Sequence, residues 1–228
     1  MIDFTEILRY ASNLSPLFPI ILLFTIKKKR TKIINIFIGV ILVSFLSDIV
    51  GFIMVSNRIN NAPVSNSYYI IQFFLLMYFY NIQIKNKKLI YITIVVFISF
   101  CVINTIFLHP FNRFQSWLRF VGAIICIFYA VGFFRQMARV DKAEGRWIDN
   151  PPIDPFYHYP FWINAGIFYY FAFNLFLFAM DNFVFTNLSK EVARTFWGFH
   201  NANNIIKNLL FGIAVIVFKN KNKSPLFY

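Results

Sequence analysis

The stretch Trp197–Phe218, WGFHNANNIIKNLLFGIAVIVF, decides how this chain is read. It is long enough to cross a membrane, which takes about 20 mostly apolar residues. Yet Lys207 stands in its middle. A charge at membrane depth costs a few kcal/mol or more, so it is kept only with a partner, a water-filled cavity or a function. The polar residues around it are ordered. At about 100° per helical residue, His200, Asn201, Asn204, Lys207 and Asn208 fall within an arc of about 100–120°. Ile205, Ile206, Leu209 and Leu210 point elsewhere.

The whole chain supports reading this stretch as a membrane span. Of 228 residues, 59% are apolar, 14% are charged and 32 are Phe, with a mean hydropathy of +0.61. Soluble domains carry about 25% charged residues. A soluble core of this size cannot hide so much apolar surface, which leaves an all-α polytopic membrane protein. The net charge of +13 is not the mark of a nucleic-acid binder here. The basic residues cluster in short runs between apolar segments, as topology signals do. Cys101 and Cys126 both fall inside apolar segments, without metal-ligand company and poorly placed for a disulfide.

Seven segments qualify as spans, at about 5–26, 33–55, 68–84, 89–108, 117–137, 161–180 and 197–218, forming a single transmembrane domain over residues 1–228. The first reads as a retained helix, because Leu14–Ile26 runs into Lys27-Lys28-Lys29-Arg30 without a small-residue cleavage site. The third is the shortest. Six helices with a re-entrant third segment is the main alternative. With seven spans, one side holds fifteen Lys and Arg (27–30, 32, 85, 87, 88, 135, 139, 142, 146, 219, 221, 223). The other holds six, namely Arg9, Arg58, Arg113, Arg119, Lys190 and Arg194. That bias puts the N-terminus outside and the C-terminus in the cytoplasm. The prolines of Asp149–Pro155 forbid a continuous helix through the cytoplasmic connection Arg135–Pro160. Its aromatic residues suit the headgroup level. The connection Asp181–Phe196 has room for a short helix after Asn187 or Ser189. No repeat relates the two halves, which argues against an inverted-repeat transporter.

Depth, counted at about 1.5 Å per residue, brings several polar residues to one level. Lys207 lies about 15 Å from Trp197, and Asp48 about 10 Å from the outer end of the second span. Asp48 is the only acid deep within the expected spans, Glu6 standing at the edge of the first, and helical side chains lean toward their own N-terminus. An Asp48–Lys207 ion pair is therefore expected. Gln72, Asn104, Arg119 and Asn174 fall in the same outer half; Asn164 is the exception on the cytoplasmic side. The candidate site is an outward-facing pocket of Asp48, Gln72, Asn174, His200, Asn204, Lys207 and Asn208. The plainer reading is that the amides join helices, at about 0.6 kcal/mol per hydrogen bond, and that the charges form a structural pair.

Three stretches carry a resemblance: Asn60 with Tyr69-Ile70-Ile71-Gln72-Phe73; Phe161-Trp162-Ile163-Asn164 followed by Tyr170; and His200-Asn201 with Asn204 and Lys207-Asn208. Together they resemble a group of small seven-helix bacterial membrane proteins of no established mechanism, some found beside sensor kinases. The resemblance covers most of the chain and implies a signalling association. Near Tyr69, where an acid is expected in that group, this chain has Gln72.

The leading expectation is therefore a membrane sensor or signalling subunit. It would act through a separate cytoplasmic partner at Arg135–Pro160 and the basic C-terminal tail. Homo-oligomers are compatible with this. A small-solute or ion transporter is the alternative, although paired midplane carboxylates are lacking. A retinal-type photoreceptor using Lys207 is a minor alternative: a Schiff base needs an acidic counterion, the third segment has none, and only Asp48 could substitute. No other cofactor, metal or nucleic acid is expected. Neither is enzymatic activity, since no nucleophile-and-base, His-x-x-x-His or paired-acid motif is present. A subunit serving assembly alone is a further reading. The Ile/Asn/Lys/Phe-rich composition points to an AT-rich bacterial genome, hence to the bacterial inner membrane.

Overall fold

Pro16 and Pro19 break the first span. In the computed structural model, which describes residues 4–27, 29–84, 86–143 and 155–220, it forms two helices, α1 (Phe4–Leu14) and α2 (Leu17–Phe24). Proline has no N–H, so the backbone bond from position 16 to the Ser12 carbonyl is lost. The Ser15 hydroxyl donates to that carbonyl instead, at 2.7 Å. Six further helices follow: α3 (Lys32–Ser56), α4 (Ala62–Gln83), α5 (Lys87–Ile103), α6 (Ser116–Ala143), α7 (Tyr159–Asn187) and α8 (Lys190–Asn220). A π-helical turn, Asn104–Leu108, ends α5, and a 3-10 turn, Pro155–Tyr157, precedes α7.

The helices close into a ring. α8 packs on α7, α1 and α2; α7 on α6; α6 on α4; α4 on α3; and α3 on α1 and α2. α5 lies outside the ring, against α4 and α6. Aromatic rings fill the contacts between helices. Phe37 of α3 meets Phe211 of α8 at 4.8 Å, Tyr80 of α4 stacks on Tyr129 of α6 at 5.6 Å, and Phe73 of α4 stacks on Phe97 of α5 at 3.6 Å. The outer surface is apolar too: Val95, Phe107, Phe173 and Phe176 are all more than 60% exposed. Such a surface belongs in lipid. Six helices, counting α1 with α2 as one, are long and apolar enough to cross a membrane. The chain is a multi-pass helical membrane protein.

The seventh candidate, α4, is long but more polar. It is one continuous helix of 22 residues, about 33 Å in length. It begins six residues before the expected boundary. The same holds elsewhere. α8 starts at Lys190, where Ser189 accepts from the Val192 N–H at 3.3 Å. α7 runs to Asn187, because no proline or glycine interrupts its last turns. The expected connection Asp181–Phe196 shrinks to Leu188 and Ser189. α6 continues through Ala143, so the first part of Arg135–Pro160 is helical; residues 144–154 of that connection lie outside the described residues. So do Lys28, Lys85 and the basic tail residues Lys221 and Lys223.

The α3–α4 turn holds Arg58 at a φ of 58°. Its N–H bonds the Val55 carbonyl and the Ile59 N–H the Met54 carbonyl, at 3.0 and 2.8 Å, a Schellman closure that favours glycine. Arg58→Gly is therefore expected to stabilise the protein by about 0.5–1 kcal/mol, read as a rise in the thermal midpoint in detergent. At Gly212 of α8 the demand is opposite. A Cβ there would collide with the Phe18 ring of α2. Gly212→Val is expected to cost about 1–3 kcal/mol through overpacking. Adding Phe18→Ala should restore part of that loss in the same measurement.

Candidate functional site

The polar residues gather at one end of the bundle, where α1, α4, α6 and α8 begin and α3 and α7 finish. Asn66, near the start of α4, ties this end together. Its amide donates to the Phe111 and Arg113 carbonyls, at 3.0 and 2.8 Å. Its Oδ1 accepts from the Gln115 N–H at 3.4 Å and from Arg119 Nη2 at 3.3 Å. Arg119, on the second turn of α6, also donates through Nη2 to Ser65 Oγ at 3.0 Å and through Nη1 to Asp181 Oδ2 at 3.4 Å. Both side chains of this ion pair are buried, at 5% and 1% exposure. Tyr69 closes the group by donating to the Arg119 carbonyl at 2.9 Å. Gly122 makes room for it: a Cβ there would lie 2.6 Å from the Tyr69 hydroxyl.

Beside this network lies a chamber of about 180 Å³. α1 contributes Arg9 and Ser12, α3 contributes Ser47 and Asp48, α7 contributes Tyr170, and α8 contributes His200. A wider vestibule of about 490 Å³ shares Arg9, Asn61, Ser65 and Trp197 with it and adds Glu6, Lys190 and Arg194. The shared walls make the vestibule the approach to the chamber. Below, Phe37, Leu76, Phe79, Ile163, Ile167 and Phe211 leave a gap of only about 10 Å³, about the size needed by a single water and without polar partners for one.

The expected site residues divide between these features. Asp48, His200 and Asn204 line the chamber. His200 stacks on Trp197 at 4.4 Å, and its Nδ1 lies 3.1 Å from Asn174 Oδ1. Asn174 is fully buried; its amide donates to the Tyr170 carbonyl at 2.7 Å, and its Oδ1 also accepts from Asn203 at 3.4 Å. It positions His200 from behind. Asn204 donates to Ser12 Oγ at 2.9 Å and Asn208 to Ser15 Oγ at 2.7 Å. Those two amides hold α8 to the break between α1 and α2, a joining role. Gln72 is buried, lines neither cavity and leaves its Oε1 without a hydrogen-bond partner.

Lys207 departs from the expected ion pair. It is buried, at 2% exposure, and its Nζ lies over the Tyr170 ring at 4.5 Å and 6.0 Å from the Phe211 ring centre. Asp48 attracts it through space without contact. Among the described residues, the ion pair that forms is Arg119–Asp181. Asp48 is thus not the only acid inside a helix of the bundle. Asp181 was missed because hydropathy ends the sixth span at Met180, one residue short of it. Ser65 and Asn66 were missed because the third apolar segment begins after them. The only sequence signal for this network was Arg119 itself, a charge inside an apolar helix.

Removing one member of a buried ion pair leaves the other uncompensated, at about 3–5 kcal/mol. Arg119→Met and Asp181→Leu are each expected to destabilise by about that much. The double variant should be markedly less destabilised than the two single losses added together, measured by thermal unfolding in detergent. Among known proteins, no family model, curated protein or solved structure matches this chain.

Proposed function

We propose that this protein is a seven-span membrane receptor subunit. Its N-terminus would lie outside, and its polar chamber would receive a small solute from that side. The observation that carries this reading is the asymmetry of the bundle: a charged chamber with a vestibule at one end, and a nearly gap-free aromatic and aliphatic layer below it. A blind pocket suits binding better than passage. The orientation rests on the basic residues. Lys27, Lys29, Arg30, Lys32, Lys87, Lys88, Arg135 and Lys219 all lie at the end away from the chamber, and basic residues favour the cytoplasmic side. α4 counts as a span by length and by its place in the ring between α3 and α6. Its Ser65, Asn66 and Tyr69 bond partners within the bundle. The signal would leave through a separate cytoplasmic partner, in keeping with the signalling association that the sequence resemblance implies.

The test is cysteine labelling in intact cells with a membrane-impermeant maleimide, in a Cys101→Ala, Cys126→Ala background. Cysteines replacing Ile59, Arg113 and Ser189 should react in intact cells, and those replacing Lys29 and Asn86 only after lysis. Reaction of the Ile59 and Asn86 positions from one side would remove α4 as a span. Cysteine at Ser47, on the chamber wall, should react from outside and be protected by a bound solute. Uptake of that solute into proteoliposomes would replace the receptor reading with transport.

A further inference from the structure

The chamber carries two opposite charges that do not meet. Arg9 of α1 and Asp48 of α3 both line it, and among the described residues neither belongs to an ion pair; the Arg9 guanidinium lies 5.2 Å over the Tyr10 ring. The buried Nε of Arg9 and the buried Oδ2 of Asp48 each lack a hydrogen-bond partner. The other cations nearby are already engaged. Arg119 is held by Asp181, Ser65 and Asn66, and Lys207 lies against Tyr170 rather than in the chamber. An unsatisfied buried polar group is costly, more so when charged, so the chamber is one donor and one acceptor short.

We infer that the chamber binds a small zwitterion of the amino-acid type, its ammonium group toward Asp48 and its carboxylate toward Arg9. The inference rests on the outward-facing pocket described under Proposed function. The alternatives each leave something unmet. A simple anion would pair Arg9 but leave Asp48 unmatched beside a second negative charge. A simple cation would do the reverse. A neutral solute would leave both charges unpaired.

The direction follows from the lining. Asp48 belongs to the chamber alone, whereas Arg9 lines both chamber and vestibule, so the ammonium end lies deeper. The walls suit it. Tyr68, Tyr170, Phe178 and Trp197 surround the chamber, and aromatic faces attract ammonium groups within about 6 Å. At the vestibule, Lys190 and Arg194 favour an approaching carboxylate. Size limits the choice. At about 10–15 Å³ of such space per water, 180 Å³ corresponds to roughly 12–18 non-hydrogen atoms. That admits glycine, alanine, β-alanine or γ-aminobutyrate and excludes long peptides.

The experiment uses the full-length protein in detergent, with thermal shift and Trp fluorescence as readouts. The probes are glycine, L-alanine, β-alanine and γ-aminobutyrate, set against the half-molecules propylamine and propionate and the neutral propionamide. At least one zwitterion should bind ten-fold or more tightly than every half-molecule. Asp48→Asn should abolish that preference while leaving propionate binding in place, and Arg9→Gln should do the same for propylamine. Monodisperse elution of each variant checks its fold, and the probe series on the unaltered protein stands without the variants. Equal binding of propionate and the zwitterions would overturn the proposal, as would no binding by any zwitterion. If cysteine at Ser47 is still labelled from outside in those cases, the ligand class is wrong and the pocket stands. If it is not labelled, the pocket reading fails with it.

Discussion

The buried Arg119–Asp181 pair is the constraint on which this bundle depends. It joins α6 to α7, and through Ser65 and Asn66 it joins both to α4. A guanidinium has five donors in a fixed fork, so one arginine can engage three helices where a lysine would engage fewer. Asn66 matters as much as the charges: it accepts from Arg119 while donating to two carbonyls of the α5–α6 connection. The network is thus fixed to backbone, not only to side chains. That explains how α4, more polar than the six helices apolar enough to cross a membrane, holds its place in the ring. Its Ser65, Asn66 and Tyr69 find partners inside the protein, where lipid would leave them unmet.

Lys207 shows a different solution. An isolated buried charge costs several kcal/mol, and a desolvated cation–π contact returns about 2 kcal/mol. The Tyr170 ring alone does not balance it. Asp48 acts on it through space, and Tyr170 is the residue common to both: it lines the chamber and underlies the amine. Asp48 therefore serves two neighbours without contacting either directly, the buried amine below and the open chamber beside it. Had it closed onto Lys207 as an ion pair, the chamber would have lost its only acid.

The sequence made the class of fold legible, and six of the spans, because apolar runs and basic clusters are one-dimensional signals. It made the polar face of α8 legible for the same reason: Asn201, Asn204, Lys207 and Asn208 are all buried, and Ile206 and Leu209 are exposed, as helical periodicity requires. It failed where polarity is cancelled by a distant partner. Asp181, Ser65 and Asn66 look like loop residues until Arg119 is placed among them across more than 50 positions. Asp48 and Lys207 were brought to the right level but to the wrong relation, since depth along a helix does not reveal which neighbour a side chain meets. The joining role of Asn208 depended on Ser15, whose hydroxyl stands at a proline break that no apolar count can locate.

That break bears on how the chamber is built. Arg9 lies on α1, above Ser15 and Pro16, and the helix there lacks the continuous backbone ladder that stiffens the other spans. Besides its packing on α3 and α8, α1 is tied laterally by Asn204 to Ser12, and the break below it by Asn208 to Ser15, both from α8. Asp48, by contrast, lies within an unbroken helix of 25 residues. One of the two unpaired charges is therefore on a rigid wall and the other on a segment tied by side chains. The helix that bears the buried lysine is thus the one most directly coupled to Arg9.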